Sequence, residues 1–182
     1  MKLSYFLIAM MICLSFHSCI SNKEKKPAEI LREMSRSPDS KIGSENFQFS
    51  LPEGWFRVDT ILEGNKITFL IKENDNLRPI INVTNEFMRN KSHEAYVDGT
   101  KGELLNNMDV QLIDNGSFPV SEKNCIWYTY NRAQNGIKRE MAYYSIANNG
   151  VSCNITAGVN PGGLKKYKQV FDEIVKSFRV KN

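Results

Sequence analysis

Two Asn-Gly pairs, Asn135-Gly136 and Asn149-Gly150, constrain this chain more than any other feature. Asn-Gly supplies the two positive-φ positions of a type I′ turn, whose twist matches that of the strands it joins. The flanking runs are Cys125-Ile126-Trp127-Tyr128-Thr129-Tyr130, Lys138-Arg139-Glu140-Met141-Ala142-Tyr143-Tyr144-Ser145-Ile146 and Val151-Ser152-Cys153-Asn154-Ile155-Thr156. They are rich in branched and aromatic residues, as strands are, so the three runs predict an antiparallel meander. Counting outward from both turns sets Cys125 and Cys153 each opposite the neighbourhood of Ile146. Two strand spacings, roughly 9–10 Å, would then separate them, beyond the ~7 Å that a disulfide spans. Two buried free thiols are expected.

Before the meander, Phe47-Gln48-Phe49-Ser50-Leu51 alternates and stops at Pro52-Glu53-Gly54, a turn signal. Trp55 to Asp59, Ile67 to Ile71 and Pro79 to Phe87 read as further strands. Ser92 offers a helix N-cap with Glu94 in the first turn. Tyr96, Thr100, Leu104 and Met108 follow at steps of four, on a helix weakened by Gly99 and Gly102. Val110-Gln111-Leu112-Ile113 is taken as a strand that ends in a turn at Asp114-Asn115-Gly116. Near the C-terminus, Asn160-Pro161-Gly162-Gly163 breaks the chain before Leu164, Tyr167, Phe171, Ile174 and Phe178 repeat at helical steps. The sum is an α+β domain, a mostly antiparallel sheet packed with helices, over residues 45–182.

The first residues have another character. Lys2 precedes the apolar run from Leu3 to Leu14, and Ser18 stands before Cys19. A positive start, a short apolar core and a small residue at the cut define an export signal, here residues 1–18. The run is shorter than the ~20 residues that span a bilayer. Phe16-His17-Ser18-Cys19 resembles the lipobox of bacterial lipoproteins. That resemblance implies cleavage before Cys19, acylation of its thiol and amine, and a membrane anchor that does not span. An ordinary cleaved signal with an incidental cysteine is the plainer alternative. Ile20, where an Asp would resemble an inner-membrane retention signal, favours the periplasmic face of the outer membrane. Residues 19–44 then read as a lipidated terminus and flexible linker, punctuated by Pro27 and Pro38. As coil the linker would reach roughly 25–30 Å.

The opening Phe49-Ser50-Leu51-Pro52-Glu53-Gly54-Trp55, the run Val151 to Thr156, and the closing Phe171-Asp172-Glu173-Ile174-Val175-Lys176-Ser177-Phe178 resemble the PsbP-like superfamily, with its Mog-type and DcrB-type domains. The resemblance covers nearly the whole domain and implies an α/β/α sandwich. It also implies mostly non-enzymatic roles, as accessory subunits and binding modules, and carries no catalytic residues over.

Chemistry-bearing motifs are sparse. Of 24 basic and 20 acidic side chains only Lys2 precedes Cys19, a mild balance that does not argue for nucleic acid. His93 is the one histidine after the signal, which excludes a multi-histidine metal centre, and no cysteine pair has zinc-ligand spacing. It reads as an exposed residue in a first helical turn. Asn74-Asp75-Asn76 and Asp114-Asn115 could offer oxygens to calcium, but Asx turns explain both without metal. The glycines ahead of the last helix could seat an anion on free N–H groups, and a plain helix start explains them as well. Asp59-Thr60-Ile61 resembles an O-glycosylation site of some periplasmic proteins. No cofactor and no metal is expected.

The remaining feature is aromatic. Trp127, Tyr128, Tyr130, Tyr143 and Tyr144, with Arg132 and Arg139, form a candidate binding surface if one face of the meander is open. Adjacent strand residues face opposite sides, so helices on both faces would bury both sets, and cross-strand packing is the heavier reading. The function expected is a lipid-anchored, non-catalytic accessory or protein-binding module with an envelope protein as partner. A small-ligand carrier is one alternative, and a hydrolase using Asp98 or Glu103 is another.

Overall fold

The computed structural model describes residues 47–62, 65–107 and 109–180. The signal, Cys19, the linker, Met108 and the domain's terminal residues lie outside these. The elements run β1 (Phe47–Gln48), β2 (Trp55–Leu62), β3 (Asn65–Lys72), β4 (Ile80–Phe87), α1 (His93–Asn107), β5 (Asp109–Val120), β6 (Lys123–Gln134), β7 (Ile137–Asn148), β8 (Val151–Val159), α2 (Leu164–Lys176) and β9 (Arg179–Val180). Seven strands form one antiparallel sheet in the order β2-β3-β4-β8-β7-β6-β5, and β1 pairs separately with β9. The α+β expectation holds.

The meander forms as read. Asn135 and Gly136 sit at φ 50° and 78°, Asn149 and Gly150 at 48° and 77°, the left-handed pair that a type I′ turn requires. Cys125 lies opposite Ile146, and Ile146 opposite Cys153. Both cysteines are buried and free. Burial pushes the Cys125 thiol up to about 12 and raises that of Cys153 as well, so neither is a thiolate at neutral pH.

Two expectations need correcting. The run beginning at Phe47 gives only the two-residue β1; Phe49 instead packs its ring against Phe178, centroids 5.3 Å apart. More consequentially, Asp114-Asn115-Gly116 is no turn. Strand β5 runs through it, with a register shift between Leu112 and Asp114, and the chain reverses at Ser121-Glu122 instead. The reason lies across the ladder. Gly116 pairs with Trp127, and a Cβ on it would stand 2.9 Å from the indole Cζ2. The glycine makes room for the ring; it does not bend the chain.

Each helix covers one face of the meander. On one side Tyr167, Phe171, Ile174 and Val175 of α2 bury Leu70, Ile81, Val83, Ala142, Tyr144, Ile146 and Ile155. On the other, Tyr96, Val97 and Leu104 of α1 pack with Met88, Tyr128, Tyr130, Met141 and Tyr143. Both faces of the meander are therefore dry, and the sandwich is α/β/α.

Gly116→Ala should cost roughly 1–3 kcal/mol of stability through overpacking against Trp127. Gly102→Ala, on α1 with nothing within 4 Å of its would-be Cβ, should stabilise by about 0.5–1 kcal/mol. Urea denaturation of both variants checks the contrast; a harmless Gly116→Ala would contradict this packing.

Candidate functional site

The aromatic surface expected on the meander is not a surface. Tyr128, Tyr130, Tyr143 and Tyr144 are at most 1% exposed and Arg132 4%, because α1 and α2 close the two faces. Trp127 is half-buried under α2, with Lys168 Nζ 4.0 Å from its ring centroid. Lys168 also pairs with Asp172 at 2.7 Å, whose Oδ1 accepts from the Tyr144 hydroxyl at 2.8 Å. Arg132 Nη2 donates to Gln134 Oε1, and half-buried Arg139 donates to Asn160 Oδ1 at 2.5 Å.

Other candidate residues are engaged internally. The helix-start N–H groups of Gly162 and Leu164 donate to the two carboxylate oxygens of Glu140, at 2.8 and 2.6 Å. The anion seat read from the glycines is thus occupied by the protein's own carboxylate. Asp75 accepts from Leu77 N–H at 2.8 Å and from the Tyr167 hydroxyl at 2.5 Å. The Tyr167 bond, chiefly, holds its carboxyl below the usual range. Thr60, the glycosylation candidate, is buried at 6% exposure. Asp98 is exposed and pairs with Lys101 at 3.0 Å, and Glu103 is exposed on the same helix.

His93 is the larger surprise. It is half-buried and not exposed, because it caps a polar network between α1 and the sheet. Its Nε2 lies 2.8 Å from Ser145 Oγ, which lies 2.7 Å from Ser152 Oγ. Ser152 donates to Asn154 Oδ1 at 2.7 Å, and Tyr143 donates to the same oxygen at 2.8 Å. Asn154 Nδ2 donates to the Tyr96 hydroxyl at 2.7 Å, which donates to Glu86 Oε2 at 2.6 Å. Ser145, Ser152 and Asn154 are at most 2% exposed. Strand pairing builds this cluster: Ser145 sits opposite Asn154, and Glu86 opposite Ser152.

The direction of these bonds can be deduced. A hydroxyl has one proton. That of Ser152 goes to Asn154, so Ser145 must donate to Ser152. Ser145 then has no proton for His93, and the imidazole Nε2–H must donate to Ser145. The histidine therefore sits as a donor toward a closed-in serine, the reverse of a base that activates a nucleophile. Burial holds the His93 pKa below its ordinary value, partly opposed by Glu94.

Sequence reasoning missed this cluster because Ser145, Ser152 and Asn154 look like solvent-facing positions of alternating strands. The available signal was their company. All three lie on β7 and β8, on the face that also carries Tyr143, and a covered face must partner its polar groups. One hydroxyl beneath α1 fails to find a partner: Tyr128 OH is buried without a hydrogen bond, its ring stacked on that of Tyr143 at 4.7 Å.

The fold has counterparts among solved structures. LpqN, involved in cell envelope biogenesis of Mycobacterium tuberculosis, superimposes with a TM-score of 0.61 at 13% identity, over 87% of this chain and 98% of that one. A Pseudomonas aeruginosa protein of unknown function, a putative regulator, gives 0.58 at 8% identity over 69% and 98%. Cyanobacterial PsbP (CyanoP) from Synechocystis gives 0.53 at 14% identity over 78% and 96%. The chain has the PsbP-like fold that the sequence resemblance implied. No family model matches it, and no curated protein matches it either.

Tyr143→Phe should cost about 1–3 kcal/mol by leaving Asn154 short of a donor, whereas Tyr128→Phe should be neutral or stabilising; chemical denaturation distinguishes them, and equal losses would contradict the assignment. A second expected outcome concerns pH. With its folded pKa below 6.5, His93 contributes no penalty above pH 6.5. As pH falls through 6.5 the unfolded chain takes the proton first, so stability declines until the folded pKa is reached. Between pH 7.5 and 5 the urea midpoint of the parent should fall more than that of His93→Gln. Parallel pH profiles would contradict the network.

Proposed function

We propose that this chain is a non-catalytic accessory or protein-binding module of the bacterial envelope, held on the periplasmic face of the outer membrane by acyl chains on Cys19. What carries the reading is the burial of Ser145 together with the hydrogen-bond order deduced at His93. The best-placed pair for nucleophilic chemistry, His93 and Ser145, is closed from solvent at the serine and oriented the wrong way for catalysis. The space beneath α1, where a carrier would hold its ligand, is occupied by the buried rings of Tyr128, Tyr130 and Tyr143. The anchor rests on the lipobox-like Phe16-His17-Ser18-Cys19, and envelope work fits the fold shared with LpqN. Among the described residues no helix is long and apolar enough to cross a membrane.

The surface offered to a partner is apolar and lies at one edge. Leu105 on the last turn of α1 and Leu112 and Ile113 on β5 are 41, 37 and 52% exposed, where the two elements meet. Strand β5 ends the sheet, and its register shift falls at Ile113, a device that keeps an edge from pairing indiscriminately.

Two measurements in intact cells test this. Palmitate should label the parent and not Cys19→Ser, which should leave the membrane fraction. A photo-reactive side chain at position 113 should capture a discrete envelope protein, while one at Lys165, on exposed α2 surface, should not. Label retained by Cys19→Ser would refute the anchor; no capture from position 113 would refute the partner surface.

A further inference from the structure

Four apolar side chains of the sheet are buried yet belong to neither helix's layer. Val58, Ile67, Phe69 and Ile71 are 3, 4, 1 and 6% exposed. Val58 pairs with Phe69, Thr60 with Ile67, and Phe69 with Asn82, so all lie on one face. Asn82 in turn pairs with Thr156, and Thr156 with Tyr143, which identifies the face as the one α1 covers further along. But α1 packs on Met88 and on the tyrosines and methionine of β6 and β7, and the α2 layer takes Leu70, Ile81 and Val83 from the opposite side. Among the described residues, the β2–β3–β4 third of the α1 face has no helix of its own. An α/β/α sandwich needs a second element there.

We propose that residues 28–34 of this same chain dock on that face as a short helix, seated over Val58, Ile67 and Phe69. Ile30, Leu31 and Met34 fall at helical spacing on one stripe, while Glu29, Arg32 and Glu33 fall off it. Pro27 stands where a helix starts and Pro38 beyond where this one would stop. A helix this short is unstable alone in water and needs a surface to form on. The dimensions agree: three strands are about 10 Å across, the width of one helix. The path agrees too. Twelve residues separate Met34 from Phe47, a reach of up to ~40 Å, ample to round the β2 edge from β1. The inference stands without the membrane anchor. Where the anchor holds, docking leaves only residues 20–26 as free tether, so the domain sits close to the bilayer.

The test is hydrogen exchange and NOE spectroscopy on the chain from Cys19 onward in detergent, with two variants. Amides of residues 28–34 should exchange about tenfold or more slower than coil. Methyls of Ile30, Leu31 or Met34 should show NOEs to Phe69 or Val58. Leu31→Asp should abolish the protection and lower Tm by several degrees, and Leu31→Met should restore both. Because an undocked tail cannot destabilise the domain, an unchanged Tm in Leu31→Asp overturns the proposal, as does coil-like exchange. Protection that rises with protein concentration would mean that a second copy covers the face, and would overturn it as well.

Discussion

A sheet buried on both faces forces alternate side chains of one strand into two different cores, and most of this molecule follows from that constraint. On β6 and β7, Trp127 pairs with Tyr144 toward α2, while Tyr128 pairs with Tyr143 toward α1. Every hydroxyl carried inward then needs a partner or costs about 1–3 kcal/mol. Tyr144 finds Asp172 on the helix above it. Tyr143 finds Asn154 on the neighbouring strand β8, and through it Ser152, Ser145 and His93 on one side, Tyr96 and Glu86 on the other. Asn154 is the pivot, accepting twice through Oδ1 and donating through Nδ2. The network ties α1 to three adjacent strands, beside the apolar contacts of Tyr96, Val97 and Leu104.

This explains why a serine beside a histidine here reads as architecture. The proton order is set by Asn154, so the imidazole donates and the serine is spent. The same logic applies at the start of α2, where Glu140 supplies the anion that free N–H groups would otherwise seek. Groups that resemble a site in isolation are satisfied by their own neighbours. What faces water instead is apolar, at the bulged edge of β5.

Much of the fold was legible in the residues. The Asn-Gly turns set the meander's register closely enough to place both thiols, and the apolar spacing from Leu164 to Phe171 defined α2, since both signals are local. Non-local causes were illegible. Nothing near Asp114-Asn115-Gly116 reveals that a tryptophan eleven residues on lies over the glycine, so a turn triplet hid a strand. The aromatic set could be assigned to faces by alternation, but whether each face was covered depended on where two distant helices landed. The polar network was hidden for the same reason: a serine on a strand says polar, and only its tertiary cover decides whether water or a histidine is its partner.

The central claim is that the His93–Ser145 pair is structural. Its most direct test is incubation of the purified protein with a fluorophosphonate, which forms a covalent bond with activated serines, followed by intact-mass and peptide analysis. The account predicts no adduct at Ser145 while the fold is intact. A stoichiometric adduct there, lost in His93→Gln, would contradict it and turn the closed network into an active site.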